Sequence, residues 1–176
     1  MKIYLAGPEV FHPKADIIFA QKCALAKEHG FIPITPFDAD VNHVQGNFTP
    51  QVLGQMIYLE NMKLIELSDA VVANITPFRG YHMDVGTAFE IGVAQALGKK
   101  ISCYTQDKDT LIKRVPSGRH KGKDGQDFTV ENFDMHENLM IEGALLSQGR
   151  SMIVCDTPYQ DRIMSMDGFV EALLQL

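Results

Sequence analysis

The chain has 176 residues, 45% of them hydrophobic and 22% charged, enough for one domain with a sizeable core. Its formal net charge of −6 argues against a general nucleic-acid binder, because phosphate binding needs a basic surface. No run approaches transmembrane length, and the apolar stretch from Met1 to Pro8 is too short for a signal peptide, so a cytoplasmic protein without membrane contact is expected.

Residues 2–6 read as a first strand, stopped by Gly7-Pro8. Pro13 can open a helix over residues 15–29, with Ile17, Ile18, Ala24 and Leu25 at helical spacing and Gly30 as its stop. Residues 31–34 form a short second strand, placed at a sheet edge by Pro33. Residues 35–48 are polar and read as a loop. Thr49-Pro50 is an N-cap followed by proline at the first helical position, opening a helix to Leu67 with Leu53, Met56, Ile57, Leu64 and Ile65 as its apolar face.

A third strand spans residues 70–75, followed by the turn Thr76-Pro77-Phe78-Arg79-Gly80. The next helix is almost wholly apolar or small, from Val85 to Leu97, with one carboxylate, Glu90, in its middle. A carboxylate buried without a partner is costly, so the chain either uses Glu90, pairs it, or sets it on a solvent-facing edge. Gly98 caps this helix and residues 101–104 form strand four. Residues 105–132 break the rhythm, with Pro116, Gly118, Gly122 and Gly125 and five basic side chains, Lys113, Arg114, Arg119, Lys121 and Lys123. A connection this long without regular structure reads as a solvated loop or a functional lid. A helix over residues 138–146, a fifth strand over 151–155 and a closing helix over 167–176 complete the chain. Three cysteines, Cys23, Cys103 and Cys155, are odd in number and far apart, and two lie in apolar strand-like runs, which fits buried free thiols in a reducing cytosol rather than disulfides.

Strands alternating with helices predict an α/β fold, one domain over residues 1–176: a flavodoxin-like, doubly wound, five-stranded parallel sheet in the order 2-1-3-4-5 with helices on both faces. Ligands in such sheets bind beyond the carboxyl ends of the strands where the order reverses, here between strands one and three. The loops at that point are residues 7–11 and 74–84. Asp84 is a plausible N-cap of the third helix, and Glu90 lies six residues on, roughly 9 Å along the axis, so both carboxylates reach one cleft.

The sequence lacks G-x-x-x-x-G-K-[ST], a proper G-x-G-x-x-G, H-E-x-x-H, paired Cys spacing and G-x-S-x-G. No metal and no cofactor are expected. What remains is carboxylate chemistry at a strand-end cleft. A lone ionised Glu in an apolar pocket suits covalent attack on an electrophilic sugar carbon.

Four stretches carry a resemblance: Ile3-Tyr4-Leu5-Ala6-Gly7-Pro8-Glu9-Val10-Phe11; residues 68–80, ending in Pro77-Phe78-Arg79-Gly80; Asp84-Val85-Gly86-Thr87-Ala88-Phe89-Glu90-Ile91-Gly92; and Asn138-Leu139-Met140. In this order they resemble the nucleoside 2-deoxyribosyltransferase family from Lys2 to about Met140. The family's flavodoxin-like fold agrees with the strand reading.

The resemblance implies a double displacement on 2′-deoxynucleosides and free nucleobases. Glu90 matches the nucleophile that attacks C1′, Tyr4 the tyrosine that hydrogen-bonds and orients it, and Asp84 the aspartate that contacts the sugar hydroxyls or the base. Asn138, with Met140 beside it, matches the asparagine that reaches sugar hydroxyls in a neighbouring subunit. A homo-oligomer, a dimer or a trimer of dimers with shared active sites, is implied. Gly7, Arg79 and Gly80 fall in matched cleft motifs, and Phe11, Phe37 and Phe78 are aromatics in cleft loops that can sandwich a base. Some family members carry an Asp on the second helix where this chain has Asn61. An amide cannot deliver a proton as an acid does, and helix geometry puts Asn61 more than two turns from Pro50, deep for a strand-end site.

Two other functions fit the same cleft. One is hydrolysis of 2′-deoxynucleoside 5′-monophosphates, with the basic run at 113–123 supplying a phosphate pocket. The other is a non-catalytic nucleotide-sensing module, against which Tyr4 and Glu90 together count, because binding a base needs no nucleophile.

Overall fold

A computed structural model of the chain describes residues 1–39 and 48–176. Five strands, β1 (Lys2–Ala6), β2 (Ile32–Ile34), β3 (Ala70–Asn74), β4 (Lys100–Thr105) and β5 (Ile153–Val154), form one all-parallel sheet in the order β2-β1-β3-β4-β5. The expected topology is thus the observed one. The helices are α1 (Ala15–Glu28), α2 (Pro50–Leu67), α3 (Val85–Ala96), α4 (Leu111–Arg114), α5 (Leu139–Ser147) and α6 (Asp167–Leu174). Among the described residues no helix is long and apolar enough to cross a membrane.

Side chains alternate across a strand, so β1 and β3 feed two cores. Tyr4, Ala6, Val71 and Ala73 pack with Ile65 of α2, Ile91 and Ala94 of α3 and Leu145 of α5. Ile3, Leu5, Ala70 and Val72 face the other way, against Phe19 and Ala26 of α1 and Phe169, Ala172 and Leu173 of α6. Both faces of the central strands are covered, which is why they read as continuous apolar runs rather than alternating ones.

The structure departs from the sequence reading in several places. Only Ile153 and Val154 of the fifth strand pair, at an edge where β4 offers Tyr104 and Thr105 as partners. In α1 the buried stripe is Ile18, Phe19, Lys22 and Ala26, and Ile17 is exposed. In α2, Thr49 caps as expected by accepting from the Val52 amide. Its predicted apolar face, however, is buried only at Ile65, while Leu53 and Ile57 are 44% and 40% exposed. Of the thiols only Cys103 is buried. Residues 105–132 are not structureless: they hold α4 and a tight antiparallel bridge between Lys123 and Thr129. Arg114 turns inward there, donating to the His136 carbonyl and to Asp109 O, so it is no part of an exposed basic patch. The loop expected over 35–48 contains a 3-10 turn at Pro36–Asp38, and its part over 40–47 lies outside the described residues.

Beneath the carboxyl ends of β1, β3 and β4 sits a buried ion pair between Glu9 and Lys22, 0% and 2% exposed. Asn74 Nδ2 (2.7 Å) and Tyr104 OH (3.2 Å) also donate to Glu9 Oε1. Lys22 Nζ lies 5.2–5.6 Å from the ring centroids of Phe169, Tyr104 and Phe19, an aromatic cage that replaces part of the ammonium's lost hydration. The pair holds the Gly7–Phe11 turn onto the sheet. Breaking a buried pair leaves an uncompensated charge, whereas replacing both partners removes that penalty. Lys22→Met should therefore lower unfolding free energy by about 3–5 kcal/mol in urea titrations, and adding Glu9→Gln should recover more than half. A loss below about 1 kcal/mol for Lys22→Met would contradict this role.

Candidate active site

A cavity of about 470 Å³ opens at the carboxyl ends of β1 and β3, where the strand order reverses. That volume suits a small organic ligand. Its walls come from four places: Gly7, Val10 and Phe11 after β1; Pro36, Phe37 and Ala39 after β2; Ile57 and Asn61 on α2; and Asp84, Gly86, Thr87 and Glu90, from the cap of α3 to its middle.

Glu90 and Tyr4 meet because α3 crosses the sheet face on which Tyr4 stands. The Tyr4 hydroxyl donates to Glu90 Oε1 at 2.7 Å. Burial pushes the Glu90 carboxyl from its ordinary value of 4.5 up to about 7; the Tyr4 hydrogen bond opposes the rise and the nearby Asp84 charge adds to it. Tyr4 itself is driven well above the ordinary phenol range, first by burial and then by the Glu90 charge, so it remains a donor. The arrangement is a carboxylate in an apolar wall with one hydroxyl to favour its ionised form.

Asp84 is the N-cap of α3, as its position suggested: its Oδ2 accepts from the Thr87 amide (2.9 Å) and hydroxyl (3.0 Å). Asn61 does reach the cavity despite its depth along α2, and its Oδ1 is buried without a partner among the described residues. Buried polar atoms are normally hydrogen-bonded, so an orphan acceptor in a cavity wall points to a ligand donor.

The aromatics are arranged differently from a base sandwich. Phe11 and Phe78 stack on each other, centroids 5.4 Å apart and planes 12° off parallel. Arg79 lies over both rings, at 5.0 and 4.6 Å, and reaches that position with a left-handed φ of 54°. Phe37 lines the cavity edge-on to Phe19, 5.1 Å away. Phe78, Arg79 and Gly80 therefore form a rim rather than a wall. Asn138 is not in this cavity. It caps α5 by accepting from the Met140 amide (3.0 Å) and donates to Glu131 Oε1 (2.7 Å), and it lines a second cavity of about 490 Å³ with Tyr81, His82 and Glu131. Met140, 73% exposed, faces solvent.

Three buried charged groups that bear on the site, Glu9, Lys22 and Glu137, carry no local signal of pairing. Glu9 sits between Pro8 and Val10, and Lys22 occupies the 18-22-26 stripe of α1, an apolar helical spacing that signals burial of a charge but not its partner. Glu137, also buried, accepts from His82 Nδ1 (2.6 Å) and the Met83 amide (2.7 Å). Among the described residues no three His, Cys, Asp or Glu side chains converge as a metal site.

The family model described as nucleoside 2-deoxyribosyltransferase matches residues 3–140. The structure of a 2-desoxiribosyltransferase from Leishmania mexicana superposes with a TM-score of 0.68 and 30% identity over 97% of both chains. A 2-deoxyribosyltransferase from Bacillus psychrosaccharolyticus shares the fold, with a TM-score of 0.53 and 20% identity over 82% of both chains. An uncharacterised protein of Schizosaccharomyces pombe is 27% identical over 168 residues, 84% of this chain and 78% of that protein.

The titration of Glu90 is directly measurable by carbon-13 NMR of its side-chain carboxyl. Its midpoint should lie near 7, and Tyr4→Phe should raise it by about one to two units, the worth of one hydrogen bond to a charged group. Because the folded value exceeds the unfolded one, stability should fall as pH rises from 4.5 to about 7 and change no further on this account above it. A wild-type midpoint near 4.5, or no movement in Tyr4→Phe, would contradict the desolvated pair.

Proposed function

The chain belongs to the nucleoside 2-deoxyribosyltransferase family, and on that premise we propose that it moves a 2-deoxyribosyl group from one nucleobase to another through a covalent intermediate on Glu90. The observation that carries this reading is the Tyr4–Glu90 contact at the wall of an otherwise largely apolar cavity. A nucleophilic carboxylate must be ionised, and burial alone would protonate it; the Tyr4 hydroxyl favours the charged form while leaving Oε2 to approach C1′.

In the first half-reaction a Glu90 oxygen forms a bond to C1′ as the C1′–N bond breaks, and the departing base takes the bonding electrons. In the second, a nitrogen of the incoming base attacks C1′ and the glutamyl ester bond breaks, returning the electron pair to Glu90. Each displacement inverts C1′, so configuration is retained overall. Asp84 keeps Oδ1 for a sugar hydroxyl or the base, since Oδ2 is held by Thr87. The Asn61 Oδ1, without a partner among the described residues, suits a base N–H donor, although an amide supplies no acid proton. Protonation of the leaving base then rests on Asp84 or on water.

We assign the assembly to a homo-oligomer of at least two copies. Asn138 lies away from the Glu90 cavity, which fits a role in a neighbour's site. Leu53 and Ile57 of α2 and Val85 and Phe89 of α3, the two helices that help wall the cavity, expose apolar surface, with Val85 84% exposed, as a surface closed by a second copy would.

Incubating 2′-deoxyinosine with adenine or cytosine should give net base exchange, with the corresponding ribonucleoside a poor donor. Glu90→Gln should lose exchange almost entirely, and a mixture of Glu90→Ala and Asn138→Ala chains should recover part of it. Formation of free deoxyribose alone, whatever base is supplied, or release of its phosphate from a monophosphate, would turn the reading to a hydrolase; full activity in a monomer would remove the shared site.

A further inference from the structure

Glu137 lies outside the Glu90 cavity, yet its carboxylate ties together the two segments on which the proposed chemistry depends. Oε1 accepts from His82 Nδ1 (2.6 Å) and from the Asn138 amide (2.9 Å); Oε2 accepts from the Met83 amide (2.7 Å), with Arg114 Nη2 at 3.9 Å. The carboxylate is 2% exposed. Glu142 Oε1 in turn accepts from the Glu137 amide (3.0 Å) and from that of His136, anchoring the turn to α5. Glu137 therefore holds a rigid turn against the backbone at residues 82–83.

The next residue is Asp84. Its position is fixed on the far side by its own cap of α3 and on the near side by the Glu137 grip on Met83. Residues 79–82 carry the packing of Arg79 over Phe11 and Phe78 and a hydrogen bond from the Phe78 amide to the His82 carbonyl, while Gly80 is exposed and Arg79 is left-handed. A carboxylate that accepts two backbone amides and an imidazole N–H is a strong restraint, because bonds to an ionised acceptor are about twice as strong as neutral ones.

We propose that Glu137 is a positioning residue for deoxyribosyl transfer: it sets the Asp84 carboxylate at the mouth of the Glu90 cavity and locks that loop to the Asn138 turn. The proposal rests on the reading that Asp84 touches substrate. It makes no demand on Glu137 to meet substrate itself. A displacement of order 1 Å in a group that orients substrate lowers rate by up to about 100-fold, so the expected effect is large for a residue outside the cavity.

A double-mutant cycle separates positioning from a merely structural role. Base-exchange rates and thermal unfolding are measured for wild type, Glu137→Gln, Asp84→Ala and the double variant. Glu137→Gln should lower kcat/KM by about 10–30-fold, but by less than about twofold when Asp84 is already Ala. Equal losses in both backgrounds, or a Glu137→Gln rate within twofold of wild type, would overturn the proposal. Should Glu137→Gln fail to fold, His82→Phe, which removes one donor at an exposed position, replaces it in the same cycle, with a loss of about three- to fivefold expected only when Asp84 is present.

Amide hydrogen exchange at residues 83–87 gives a readout that needs no turnover: Glu137→Gln should speed exchange there and leave the amides of β3 unchanged. If wild type transfers no base or Asp84→Ala retains full rate, the reading of the site fails while faster exchange at 83–87 still supports the clamp; unchanged exchange there overturns the clamp itself.

Discussion

The hydrogen bond from the Tyr4 hydroxyl to Glu90 depends on sheet register before it depends on anything in the cavity. Tyr4 pairs with Ile34 on one side and Val71 on the other, on an interior strand of an all-parallel sheet. That register turns Tyr4 to the face covered by α2, α3 and α5, while its neighbours Ile3 and Leu5 face α1 and α6. A slip of one residue would send the phenol to the opposite face and leave Glu90 buried without a donor. The apolar wall that brings Glu90 into the cavity also raises its proton affinity, so the donor and the wall have to occur together.

The opposite side of the cavity is fixed by a separate charged device. Gly7 passes so close to the Glu9 carboxylate that a Cβ there would lie 2.0 Å from Glu9 Oε2 and 2.9 Å from Asn74 Cβ. Only glycine fits, and its close approach is what lets the Gly7–Phe11 turn sit over the Glu9–Lys22 pair. The turn then presents Phe11 to Phe78, and the stacked rings carry the Arg79 guanidinium at the rim. Asn74 continues the network: its Oδ1 accepts from Thr76, whose hydroxyl accepts from the Gln106 amide at 3.0 Å. The ends of β1, β3 and β4 are thus linked through buried polar contacts directly behind the proposed site.

Local signals in the sequence carried most of the fold. Thr49-Pro50 and Asp84 announce helix starts through chemistry confined to one turn, and Pro33 marks an edge strand through its missing amide. The topology followed from alternation and handedness alone. What escaped is what depends on distant partners. Glu9 and Lys22 are 13 residues apart and become a pair only when α1 packs on the sheet. Leu53 and Ile57 have the spacing of a buried stripe yet stay exposed, because periodicity reports which face is apolar and not what covers it. Residues 105–132 looked structureless because their order comes from side chains such as Arg114 and Asp124 bonding to backbone rather than from a repeating pattern. In the site, Tyr4, Glu90, Asp84, Gly7, Phe11, Phe37 and Asn61 converge as one group, while Asn138 belongs to a second cavity that no local signal distinguishes.

The central claim is that Glu90, and not Asp84, bonds to C1′. An arabinosyl nucleoside bearing fluorine at C2′ tests it most directly, since an electron-withdrawing group beside an oxocarbenium-like centre slows release of a glycosyl-enzyme. After incubation and proteolysis, mass spectrometry should find the added sugar on the peptide containing Glu90, with Tyr4→Phe labelled more slowly and Glu90→Gln not labelled. Sugar attached to Asp84, or base exchange by Glu90→Gln at near the wild-type rate, would contradict the account.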